Sequence, residues 1–214
     1  LGKGAEKFAV HVKGLEAPAH DPRSGTALGL TYGTGTRGAC HIHPVEAMCY
    51  DSGKMDFSGL CDYGLKDPKE FHRWDEEGKG KELKLLQDGC TLPDVMGTCK
   101  FLMYLGVGIT EYANILSALT GWDIDGWNLL EIGERSINLQ KLFNQREGFN
   151  REDDMIHERM KKIPAFGDYA DKEDCAIANY EQMLEEYYEA RGWDIETGQP
   201  TDEKLKELGL EECI

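Results

Sequence analysis

The sequence has no apolar run approaching the roughly 20 residues that a bilayer span requires, and no stretch with the charged, apolar and small-residue zones of a secretory signal. The expectation is a chain that works in the cytoplasm. It is also short of positive charge: 24 Lys and Arg stand against 40 Asp and Glu, a net charge of −16. A phosphate backbone repels such a surface, which argues against nucleic acid as a partner. The acidic residues gather late, as in Glu185-Glu186 and Glu211-Glu212, and read as a solvated face. There is no P-loop, no G-x-S-x-G elbow, no complete dinucleotide fingerprint and no internal repeat. No methionine opens the chain; it starts at Leu1 in mid-segment, as a processed or cut chain does, so an upstream region is expected.

The residues that are present suffice for a core. The 214 residues are enough for one large domain or two small ones, and 40% of them are apolar. The seven cysteines, Cys40, Cys49, Cys61, Cys90, Cys99, Cys175 and Cys213, are odd in number and irregular in spacing. That pattern indicates reduced thiols in a reducing compartment and not a disulfide framework.

The pattern predicts a mainly α protein with a short β-rich/loop N-terminal segment. Residues 1–40 read as that segment, continuing from an upstream domain, because Phe8 to Val12 is β-rich and Gly25, Gly29, Gly33, Gly35 and Gly38 punctuate the chain beyond it. Residues 41–214 read as a multihelical domain. Gly53 to Gly80 is polar and loop-like, of the kind that often carries function, and helical periodicity sets in at about Glu82. Tyr112, Ile115, Leu116 and Leu119 fall on one helical face closed by Gly121. Ile132, Leu139, Leu142 and Phe143 continue to Gly148, and Tyr180, Met183, Leu184, Tyr187 and Tyr188 form the cleanest stripe, closed by Gly192. Thr201 is placed to cap a last helix carrying Leu205 and Leu208. All these stripes read as core.

Three constellations can carry chemistry. Arg37-Gly38-Ala39-Cys40-His41-Ile42-His43 offers metal ligands or a general acid/base on a glycine-rich approach. Thr91 to Cys99 offers a carboxylate at Asp94 and a thiol at Cys99, bent at Gly97; the carboxylate can accept hydrogen bonds from a heterocycle and the thiolate can hold a metal. Asp56 to Cys61 repeats that Asp-to-Cys spacing and is a look-alike. Cys40, His41, His43, Cys49 and Cys61 together contain enough donors for zinc, although only Cys40 and His43 are closely paired. From these residues alone the reading stops at a cytoplasmic, mostly α protein with a metal or cofactor loop.

The order of segments resembles the C-terminal region of the tungsten-containing aldehyde ferredoxin oxidoreductase family. The stretches that carry the resemblance are His11 to Glu16, Asp21-Pro22-Arg23, Tyr32 to His41, Asp94-x-x-Gly97-x-Cys99-Lys100-Phe101, Thr120 to Asp123 and Gly133-Glu134-Arg135. Leu142 to Asn144, Arg146 to Gly148, Asp153-Asp154, Arg159, Tyr187-Tyr188, Arg191 to Trp193 and Leu205 to Leu210 come next in the same order, nearly end to end. The resemblance implies a tungsten (or molybdenum) bis-pterin cofactor, a 4Fe–4S cluster, oxidation of a small aldehyde to a carboxylic acid, and ferredoxin or another electron-transfer subunit as partner. It maps the pterin-contacting carboxylate to Asp94, with the Thr98 backbone beside it, and one cluster thiolate to Cys99. His41 would lie near the metal. His20 stands where a Tyr lines the substrate pocket in relatives, and His43 where a pterin-contacting Lys can occur. The other cluster cysteines and the N-terminal pterin-binding region would come from outside this chain. A related reductase, such as the tungsten subunit of a benzoyl-coenzyme A reductase, and a redox-inactive or zinc-binding module of the same fold are the alternatives.

Overall fold

A tight turn at Lys13-Gly14 folds strand β1, His11–Val12, back onto β2, Leu15–Glu16, with His11 opposite Glu16 and Val12 opposite Leu15. Both turn residues have positive φ, 51° and 79°, as the right-handed twist of a two-residue hairpin requires. This hairpin belongs to a computed structural model that describes residues 2–44, 46–53, 59–70 and 72–213. Helices dominate it: α1 Thr26–Thr34, α2 Glu46–Asp51, α3 Lys79–Val95, α4 Ile109–Thr120, α5 Gly126–Arg146, α6 Glu158–Lys161, α7 Tyr180–Arg191 and α8 Asp202–Glu207. Among the described residues no helix is long and apolar enough to cross a membrane.

The helix ends obey local chemistry. Asp125 accepts from the Asn128 backbone N–H at 2.9 Å while Asn128 returns the bond to the Asp125 N–H at 2.9 Å, a reciprocal cap on α5. Gly121 and Gly192 close α4 and α7 in the left-handed region, and Thr201 caps α8 through the Lys204 N–H.

Helix α3 lies between two apolar clusters. Leu83 joins α1 and α7 residues, among them Leu28, Leu30, Tyr32, Tyr180, Met183 and Tyr187. Leu86 and Leu92 join Leu60, Met103, Ile109, Tyr112 and Leu129 on the other side. The α7 stripe is wholly buried, as expected. The α4 stripe is only half so: Tyr112 is buried, but Ile115 and Leu119 are exposed, and Leu139 and Phe143 of α5 are exposed as well. The described residues of the polar Gly53 to Gly80 stretch are mostly irregular up to the start of α3, with 3-10 turns at Leu60–Tyr63 and Pro68–Glu70.

Helix α1 lies within the segment that the glycine punctuation reads as loop. All nine of its residues are buried. Its glycines are points of close approach and not turns. A Cβ on Gly33 would run into the Tyr180 hydroxyl and the Asp154 carbonyl, and one on Gly29 into Ile177. The same device sets the crossings of α3: Gly80 lies against the α7 backbone at Tyr187, and Gly133 of α5 against the Asp88 carbonyl.

A frame of buried charge locks these crossings. Arg191 is fully buried; its guanidinium meets Asp88, donates to Gln87 Oε1 at 2.9 Å and to the Tyr187 hydroxyl at 3.0 Å. Lys84 links Asp88 (2.9 Å) to Glu134 (2.7 Å), so α3, α5 and α7 share one network. Asp154, also fully buried, holds Lys13 at 2.6 Å and Lys141 at 2.7 Å and accepts from the Tyr188 hydroxyl at 2.6 Å. Burial alone would raise the Asp154 carboxyl; Lys13 and Lys141 outweigh it and hold the group below the usual carboxylate range. Buried charges persist only when paired this way.

Candidate functional site

Two chain reversals bring the candidate residues out of the helical body. The first comes after α1. Gly38 has a φ of 96°, and a Cβ there would strike the Val12 carbonyl, so only glycine lets this turn lie against the hairpin. It delivers buried Cys40 and then His41, Ile42 and His43. The second ends α3. Pro93 sits in the last turn of the helix, Gly97 takes a φ of 67°, and the Thr98 N–H returns to the Pro93 carbonyl at 2.8 Å. Asp94 is left at the helix end with its side chain 45% exposed, and Cys99 opens the 3-10 turn Lys100–Leu105 as an exposed thiol.

The two reversals meet. His43 Nε2 lies 3.3 Å from Asp94 Oδ2. Lys100 reaches both loops: its ammonium donates to Asp94 Oδ2 at 2.8 Å and to the Ile42 carbonyl at 3.2 Å, and sits 3.4 Å from His43 Nδ1. Burial first, then Lys100 and Arg37, push His43 down to about 4, against the opposing pull of Asp94. The imidazole is therefore neutral at physiological pH, and Nε2 meets Asp94 as a close polar contact and not as an ion pair.

His41 joins a second grouping. Its ring centroid is 4.5 Å from that of His20, with the rings tilted by 53°. Burial, and then the neighbouring His20, lower the His41 pKa. His20 is set by its backbone: its carbonyl accepts from the hydroxyl of fully buried Tyr32 at 2.7 Å.

The candidates named from the sequence thus fall into His20 with His41, and His43 with Asp94. Thr98 turns its hydroxyl inward, 3.4 Å from the Tyr112 hydroxyl, so its backbone is the part that faces the turn. Asp56 of the look-alike motif lies outside the described residues; its Cys61 packs against the second apolar cluster, whereas Cys99 is exposed. The zinc set does not assemble: among the described residues no three His, Cys, Asp or Glu side chains gather where one metal ion could sit. The sequence alone assigns Lys100 no role. The available signal is its place directly after Cys99, and only the meeting of the two loops reveals its contacts.

Comparison with known proteins decides the family. The family profile described as aldehyde ferredoxin oxidoreductase, domains 2 and 3, matches residues 1–210. The chain belongs to the aldehyde ferredoxin oxidoreductase family. Within that family it is 36% identical over 218 residues to the tungsten-containing aldehyde ferredoxin oxidoreductase of Pyrococcus abyssi, a match that covers 99% of this chain and 32% of the relative. The corresponding enzymes of Thermococcus kodakarensis and Pyrococcus furiosus are 34% and 35% identical, with 99% and 98% of this chain and 32% of each relative covered. The chain thus spans about a third of the length of the curated relatives it matches. Its fold matches a solved structure, the active site complex BamBC of benzoyl coenzyme A reductase in complex with 1,5-dienoyl-CoA. The TM-score is 0.69 at 21% identity, covering 99% of this chain and 34% of that one.

Proposed function

We propose that the chain is the C-terminal part of a cytoplasmic tungsten-pterin oxidoreductase that oxidises small aldehydes to carboxylic acids and passes the electrons to ferredoxin or a similar carrier. The observation that carries this reading is the meeting of the two reversals. Asp94 at the end of α3, which the resemblance assigns to the pterin, meets the histidine loop through His43 and Lys100, and Cys99, which it assigns to the cluster, is an exposed thiol five residues on. The donor set fits the cofactors. Asp94 presents a half-exposed carboxylate suited to the amino groups of a pterin. Cys99 offers an exposed thiol suited to iron, and a 4Fe–4S cluster needs further thiolates; the preceding portion of the enzyme would supply these and the rest of the pterin site.

When bound, the tungsten-pterin supplies the two-electron redox chemistry. The net reaction is RCHO + H2O → RCOO⁻ + 3 H⁺ + 2 e⁻, so protons must leave the site in step with electrons. The role of this chain's residues is proton handling and placement. The His41 imidazole, kept neutral by burial and by His20, accepts a proton at a ring nitrogen. His20 occupies the approach to that ring.

The test is metal and activity analysis of the natural full-length protein. Tungsten and iron together, with aldehyde-dependent reduction of ferredoxin or a viologen dye, support the reading. Zinc alone, or no metal with no aldehyde-dependent reduction, rules it out.

A further inference from the structure

We infer that Lys100 is a positioning residue that fixes the tautomer of His43 and aims the Asp94 carboxylate. The purpose of that arrangement, presenting one free carboxylate oxygen to a heterocycle, rests on the function proposed above.

Valence fixes where the protons lie. A lysine ammonium has three N–H bonds and no lone pair. Lys100 is 8% exposed and directs those bonds at the Ile42 carbonyl, Asp94 Oδ2 and His43 Nδ1. Since the ammonium can only donate, His43 Nδ1 must accept and carries no proton. The single ring proton then sits on Nε2, which faces Asp94 Oδ2 at 3.3 Å. Lys100 therefore holds that carboxylate oxygen, with the Nε2–H of the imidazole lying beside it. Asp94 Oδ1 accepts no hydrogen bond from the described residues, and the side chain is 45% exposed. One oxygen is clamped and the other is offered outward, which is the geometry a directional acceptor needs.

The charges around His43 agree. Lys100 approaches from the 3-10 turn, Arg37 from its own loop and Asp94 from the end of α3. The small cavity on the remaining side is lined by the neutral groups of Thr34, Gln87, Thr91 and Ile137. A second proton on Nδ1 would point a cation at the Lys100 ammonium 3.4 Å away. The site thus sets two cations, Lys100 and Arg37, and one anion, Asp94, around a neutral imidazole.

The test needs neither tungsten nor cluster, so its failure is distinct from failure of the proposed function. Ring nitrogen and proton NMR of the 214-residue chain is expected to show His43 as the Nε2–H tautomer and uncharged at neutral pH. In Lys100→Met the accepting contact and the like charge disappear together; His43 should titrate about one pH unit or more higher. Lys100→Arg should stay close to wild type. A wild-type Nδ1–H tautomer overturns the inference, and that measurement stands even if Lys100→Met does not fold. So does an unshifted His43 in a folded Lys100→Met.

Discussion

The rings of His20 and His41 sit 4.5 Å apart at a tilt of 53°, close enough that a proton on His20 works against one on His41. Burial and this neighbour both favour the neutral imidazole of His41. His41 is thus expected to remain a proton acceptor at a lower pH than a free histidine would. His20→Phe should move the His41 titration, tracked by NMR, upward. In the complete enzyme His41→Asn should preserve tungsten and iron but lower turnover by about 100-fold, the scale of losing a general acid or base. Normal turnover at intact metal content, across the pH range, would leave His41 without that role.

Cys99 and Cys61 differ in setting, and that difference gives a second expectation. Cys99 is exposed at the start of a 3-10 turn, while Cys61 packs against the apolar cluster around Leu60 and Tyr112. In the complete enzyme Cys99→Ser should reduce iron and sulfide content and electron transfer, since serine is a poor replacement for a soft thiolate at iron. Cys61→Ser should act on stability alone. The reverse pattern, read by metal analysis and paramagnetic resonance, would transfer the assignment to Cys61.

Asp154 sets an acid limit on the fold. Its folded carboxyl lies below the ordinary value near 3.9 because Lys13 and Lys141 outweigh its burial. It therefore contributes stability above the unfolded value, and that contribution is lost as pH falls through the lower folded one. Asp154→Asn leaves two buried ammonium groups without their counter-ion and should cost about 3–5 kcal/mol at neutral pH. The variant should also lose stability less steeply between about pH 5 and 2 than wild type does. Urea titrations across that range measure both effects; an unchanged acid slope would show that Asp154 does not set the limit.

Gly33 gives the most local test of the fold. An added Cβ would meet the Tyr180 hydroxyl and the Asp154 carbonyl, and backbone cannot swing aside. Gly33→Ala should therefore destabilise by about 1–3 kcal/mol, the range of overpacked cores, even though alanine is the better helix former. Thermal or urea unfolding showing a gain in stability would refute the close packing of α1 on α7.

These residues also mark where the sequence is legible. Helices α4, α5, α7 and α8 can be read because a 3.6-residue apolar period and a terminal glycine or threonine cap are local features. Helix α1 cannot, since Gly29 and Gly33 have the same composition whether they break a helix or let one approach a neighbour. The stripes of α4 and α5 define the element but not how deeply Ile115, Leu119, Leu139 and Phe143 lie, which is set by what packs outside the helix. For the site, the resemblance of the sequence to the family proposes Asp94, Cys99 and His41. The contact of Asp94 with His43 and the role of Lys100 depend on two turns 57 residues apart in sequence (Lys100 and His43), and no local pattern encodes that meeting.

The buried Arg191 network has a consequence for the timing of ordering. It ties α3 to α5 and α7, and α1 is wedged against α7 by its glycines, so the helices that launch both loops of the site are immobilised when the chain folds. The conformational entropy of placing Asp94 and the histidine loop is thereby spent once, during folding. A guest molecule arriving at those loops meets supports that are already set, and its own affinity need not cover the cost of arranging them.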